Sequence, residues 1–93
     1  MFVGIARVEI HVPAATSLKE KRSVVKGLKD RIRSRLHAAV AEVDHQDLWQ
    51  RAALGVAVVS GEAGHAAELL QAVRHLVEGT PGAELLDWQE QIQ

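Results

Sequence analysis

Residues 2–13 run Phe2-Val3-Gly4-Ile5-Ala6-Arg7-Val8-Glu9-Ile10-His11-Val12-Pro13. Phe2, Gly4, Ala6, Val8, Ile10 and Val12 fall on one side of a period of two, and Val3, Ile5, Arg7, Glu9 and His11 on the other. Such alternation predicts a strand with one buried face over residues 2–12. Pro13 ends it, because proline cannot donate to a ladder. After the connector Ala14-Ala15-Thr16 the period changes. Leu18, Val25, Leu28, Ile32 and Leu36 recur at helical spacing, which predicts a helix from Ser17 to Arg35 with one stripe on the core. Ser17 followed by Glu20 three positions on reads as a capping box at its start. This switch from a half-buried strand to an amphipathic helix decides the fold.

Working outward, residues 38–42 and 52–60 read as the next two strands. The run Ala52-Ala53-Leu54-Gly55-Val56-Ala57-Val58-Val59 is apolar on both faces, as in a central strand or one covered by another subunit. A second helix is predicted over residues 61–78 with Leu69, Leu70, Val73, Leu76 and Val77 as its stripe, Gly79 as its stop and Thr80-Pro81-Gly82 as a turn. Residues 85–92 read as a last strand with Leu86, Trp88 and Ile92 on one face. Strand, helix, strand, strand, helix, strand is the α+β, ferredoxin-like split βαβ pattern. It implies a four-stranded antiparallel sheet with two helices on one face, in a single domain spanning residues 1–93.

Ninety-three residues form one small core, and a partner subunit commonly supplements so small a core. No apolar run reaches the ~20 residues of a membrane span. The opening Met1-Phe2-Val3-Gly4-Ile5-Ala6 lacks the basic start of a signal peptide. With no cysteine, disulfides and thiolate metal sites are excluded, and a cytoplasmic setting is expected.

Charge is unevenly placed. The first helix holds eight of the eleven basic residues against two acids, a net of +6; the remainder has three bases and ten acids. At ~100° per residue, Arg22, Lys26, Lys29 and Arg33 lie side by side along one flank of the apolar stripe. A charge-rich helix is ordinarily just a solvated face. Here only Glu20 and Asp30 offset eight cations, and like charges that close repel by a few tenths of a kcal/mol each. A polyanion would relieve that repulsion.

Several chemistries fall on the inventory. Base stacking on central strands needs aromatics, and the only aromatics are Phe2, Trp49 and Trp88. Metal carriers of this fold need a Cys pair. Acylphosphatase needs an Arg in the first strand–helix loop and an Asn; the loop has no Arg and the chain no Asn. Gly61-Glu62-Ala63-Gly64 precedes a helix but lacks the lysine and spacing of a P-loop. Glu42, Asp44, His45 and Asp47, with Lys21 or Arg22 nearby, could form a hard-metal or acid/base cluster. On a regular strand Glu42 and Asp44 share one face and His45 and Asp47 the other, which argues against one site unless a bulge or turn intervenes. Pairing of these acids with the basic helix is the plainer reading, so no catalytic residue, metal ligand or cofactor is assigned. Trp49, in a polar loop, reads first as a core plug and second, with Gln50, as an interface anchor; Trp88 reads the same way.

Two segments, Ser17-Leu18-Lys19-Glu20-Lys21-Arg22 and Val40-Ala41-Glu42-Val43-Asp44-His45-Gln46-Asp47-Leu48-Trp49-Gln50-Arg51-Ala52, resemble the YlxP-like family of small bacterial proteins, also called domain of unknown function 503. The similarity extends over essentially the whole chain, least in the tail after Gly79. It implies a ferredoxin-like fold in a bacterial cytoplasmic protein without an established activity. Members are often encoded beside translation initiation factor and ribosome-binding factor A, which implies a role around ribosome assembly or translation and favours RNA as the polyanion. The resulting expectation is a non-enzymatic RNA- or ribosome-associated factor. Lys19, Lys21, Arg22, Lys26, Lys29 and Arg33 would contact phosphates, with Arg51 and Trp49 at the patch edge. The alternatives are a homo-oligomeric interaction module whose basic helix serves solubility, and a small enzyme using Glu42 and Asp44 with Lys21 or Arg22.

Overall fold

The computed structural model describes all residues, Met1–Gln93. Its elements are β1 (Phe2–His11), α1 (Leu18–Leu36), β2 (Ala39–Asp44), β3 (Arg51–Ser60), α2 (Ala63–Glu78) and β4 (Glu84–Ile92). They form one antiparallel sheet in the order β2-β3-β1-β4. The expected ferredoxin-like architecture is therefore present, with β1 and β3 central. Ala6, Val8, Ile10, Leu54, Val56 and Val58 cover one sheet face and pack with Val25, Leu28 and Ile32 of α1 and Ala66, Leu70, Val73 and Val77 of α2. Each large apolar side chain buried there contributes about 1.5–3 kcal/mol. The other sheet face carries no helix.

Ser17 caps α1 as expected, its Oγ accepting from Glu20 N at 3.1 Å. The reciprocal bond is displaced by one residue. The Glu20 carboxylate accepts from Thr16 N at 2.7 Å and from the Thr16 hydroxyl at 2.9 Å, tying down the β1–α1 connector instead of the Ser17 amide. α1 ends on His37 in the left-handed region (φ 53°), whose N–H donates to Arg33 O.

Two bulges change the strand faces read from alternation. One lies opposite the Glu9/Ile10 step in the β1–β4 pairing. It puts Leu85 opposite Ile10 and Trp88 opposite Val8, so Leu85, not Leu86, joins Trp88 and Ile92 against the core, and Leu86 is exposed. The other falls between Glu42 and Asp44 in β2. Glu42 pairs with core-facing Leu54, whereas Asp44 pairs with Ala53 on the open face. The expectation that Glu42 and Asp44 share a face is overturned by this single extra residue.

Candidate nucleic-acid interface

The buried stripe of α1 is Lys21, Val25, Leu28 and Ile32, spaced by four, three and four. Lys21 thus occupies the core position one turn before Val25, and its side chain has 0% exposure. A buried ammonium must find partners for its three N–H donors. Lys21 Nζ donates to Glu42 Oε2 at 3.0 Å, to His45 O at 2.8 Å and to Gln46 O at 3.2 Å. The assignment of Lys21 to a phosphate-binding patch is therefore corrected: it is spent inside the fold, holding the turn that follows β2. The missed signal lay in the helical stripe itself, which continues onto a lysine.

The other five cations remain on the surface side of α1. Lys19, Arg22, Lys26 and Arg33 are exposed and Lys29 is half-buried. At 100° per residue they occupy an arc of roughly 80°, and from Lys19 to Arg33 the stripe is about 21 Å long. One acid intrudes. Asp30 accepts from Lys26 at 2.8 Å and lies 3.8 Å from Arg33; chiefly the Lys26 bond holds its carboxyl below the usual range. Arg33 Nη2 also donates to Val40 O in edge strand β2 at 2.7 Å, so the flank borders that edge. Arg31 points elsewhere, toward Thr80 Oγ1 at 3.4 Å. Around Gly27 only the Arg31 guanidinium comes within 4 Å of where a Cβ would stand. No close backbone explains that glycine.

The acidic segment does not form one cluster. Glu42 faces the helices and holds Lys21, while Asp44 and His45 join Arg7, Glu9 and Arg51 at one end of the open face. Glu9 is the hub: Arg7 Nη2 lies 3.2 Å from Oε1, and His45 Nε2 and Arg51 Nη2 lie 3.2 and 3.3 Å from Oε2. Burial pushes the Glu9 carboxyl up, but the hydrogen bonds from Arg7, His45 and Arg51 outweigh it and hold it low. Asp44 is also held low, first by the His45 N–H and then by Arg7 at 3.3 Å. Ala53 is fully buried beneath this network. Arg51 therefore sits across the sheet from α1, not at the edge of its basic flank. Asp47 is exposed. No group of three or more His, Asp or Glu side chains is arranged to hold a metal ion.

Trp49 is not a core plug: it is 56% exposed, beside Leu48 at 44%. Gln50 explains the loop's shape. Its side-chain amide donates to Pro13 O and Ala15 O, both at 3.1 Å, and its carbonyl accepts from Val12 N. Gln50 thus has an internal role in addition to its exposure. Trp88, by contrast, packs against the core with Arg74 5.7 Å from its ring centroid, and its Nε1 donates to Glu90.

On the open face, Ile5, Ala39, Ala41, Val43, Gly55 and Ala57 line a shallow concavity of about 620 Å³ with Arg7 at its margin. Gly55 leaves room for the bulged Val43, since a Cβ there would stand 2.9 Å from its Cγ1 and the valine would have to shift.

The fold is shared with a solved structure, a de novo designed protein with a ferredoxin fold. The two align with a TM-score of 0.56 at 14% identity, covering 100% of this chain and 86% of the other. The uncharacterized protein YlxP of Bacillus subtilis (strain 168) is 34% identical over 82 residues, 88% of this chain and 89% of that protein. The family described as protein of unknown function (DUF503) matches residues 3–90. No helix is long and apolar enough to cross a membrane. From residue 3 to residue 90, then, the chain belongs to the DUF503 family and is YlxP-like.

Proposed function

We propose that this chain is a cytoplasmic, non-enzymatic protein that binds RNA, alone or within a ribosomal subunit, through the outer flank of α1. One observation carries the reading: Lys19, Arg22, Lys26, Lys29 and Arg33 share one narrow arc, with Asp30 as the only acid paired to them. Phosphate contacts of this kind position a protein without reading sequence. A non-enzymatic role is supported by the fates of Glu42 and Asp44, which diverge to opposite faces and are each bound to a cation of the fold. The test is binding to small-subunit RNA and to intact subunits across a salt series, beside a variant with Arg22, Lys26, Lys29 and Arg33 changed to Gln. Tight, salt-sensitive binding that the variant loses supports the proposal. Absence of binding at low salt refutes it.

A second reading concerns assembly. The uncovered sheet face with its apolar concavity supports pairing of two copies, which would also double the basic flank. A mass in solution that stays at two or more protomers on dilution supports it, and a monomer at high concentration refutes it.

A further inference from the structure

We propose that Trp49 is a stacking platform for an unpaired base, so that the RNA taken by this chain is single-stranded and not duplex. The inference rests on the RNA reading above and names the form of RNA.

Trp49 is the aromatic side chain that the fold leaves most open: Phe2 is 36% exposed, and Trp88 lies half-buried under Arg74. Leaving Leu48 and Trp49 in water forgoes burial that a small core could use. The backbone beneath them is nevertheless tightly fixed. Lys21 Nζ grips His45 O and Gln46 O, and Leu48 N donates to His45 O at 3.1 Å. At the other end Gln50 bonds to Pro13, Ala15 and Val12. An exposed apolar tip on a clamped loop pays little ordering entropy when it binds.

Both clamps lead to the same place. Pro13 and Ala15 precede α1, and Lys21 lies between Lys19 and Arg22, both exposed. The loop that carries the indole is therefore tied to the start of the basic helix through Lys21 and Gln50, with Asp47 as the one acid of the loop tip lacking a cation partner. An open ring on a loop anchored to a basic helix suits a ligand that offers a π-face and phosphates together, which a single strand does. A duplex hides its base faces within its own stack.

The experiment uses Trp88→Phe as background, leaving Trp49 as the sole tryptophan. A 12-nucleotide single-stranded RNA and the blunt duplex of the same sequence are titrated at low salt, followed by Trp49 emission and by anisotropy of labelled RNA. The single strand should quench Trp49 and bind more tightly than the duplex. Trp49→Ala should weaken single-strand binding by about tenfold or more, with Trp49→Phe retaining most of the affinity. The dependence on salt should not change, because no phosphate contact is lost. Equal binding of the two RNAs, or a Trp49→Ala protein that binds like its parent, overturns the stacking role while leaving the flank intact. Trp49-dependent binding to intact subunits without binding to bare RNA also overturns it, since a protein would then meet the loop. Failure of both RNAs, and of small-subunit RNA and intact subunits, to bind at low salt ends the RNA reading itself.

Discussion

Replacing Lys21 with Met keeps the length and apolar stem of the side chain and removes its charge and three donors. The fully buried ammonium holds Glu42, whose side chain is 14% exposed, and the carbonyls of His45 and Gln46. Removing one partner of a buried ion pair costs about 3–5 kcal/mol. Small domains are stable by about 5–15 kcal/mol in total, so roughly a fifth or more of the stability is at stake. At about 4–8 °C per kcal/mol for a domain of this size, the midpoint should fall by at least ~12 °C. Urea unfolding followed by circular dichroism gives the free energy, and amide exchange of residues 45–50 should quicken more than that of β1. The double variant Lys21→Met with Glu42→Leu should recover at least ~1.5 kcal/mol of the loss, because no unpaired charge remains. A cost below ~1 kcal/mol, the size of an exposed pair, would refute the reasoning and return Lys21 to the phosphate-binding flank.

Two further outcomes follow from the same structure. The Glu9 carboxyl is held below its ordinary value of 4.5, so between the two values the unfolded chain binds more protons and stability rises with pH. Stability should hold from neutrality down to about pH 4.5 and fall below it; Glu9→Gln should flatten that acid limb in urea midpoints from pH 7 to 3, and an unchanged limb contradicts the hub. Gly4→Ala would place a Cβ 2.9 Å from Val58 Cγ2, 3.0 Å from Leu70 Cδ1 and 3.3 Å from Ile92 Cδ1. Overpacking there should cost about 1–3 kcal/mol in the same unfolding assay, whereas a gain in stability would show slack between β1 and α2.

The order of elements was legible because each carries its own period. Two-residue alternation in β1 and 3.6-residue stripes in both helices need no knowledge of neighbours. The sign and place of the basic flank were legible for the same reason. What alternation cannot show is an inserted residue. The bulge in β2 separates Asp44 from Glu42, and the one opposite Glu9/Ile10 exchanges Leu86 for Leu85. Lys21 was misread as surface although Val25, Leu28 and Ile32 already marked its position as core; residue type outweighed periodicity. Trp49 faces solvent because Lys21 and Gln50 set the loop's path, and those long-range bonds have no local pattern in the sequence.

The central claim is that the flank of α1 meets phosphates, and the slope of log affinity against log salt measures it most directly. Each contact to a single strand contributes about −0.7, so five cations give a slope near −3.5 and roughly a hundredfold loss of affinity between 50 and 200 mM salt. Changing Arg22, Lys26, Lys29 and Arg33 to Gln leaves Lys19, and the slope should shrink to about −0.7. Equal slopes for the two proteins, or a slope near zero for the parent, would contradict the account.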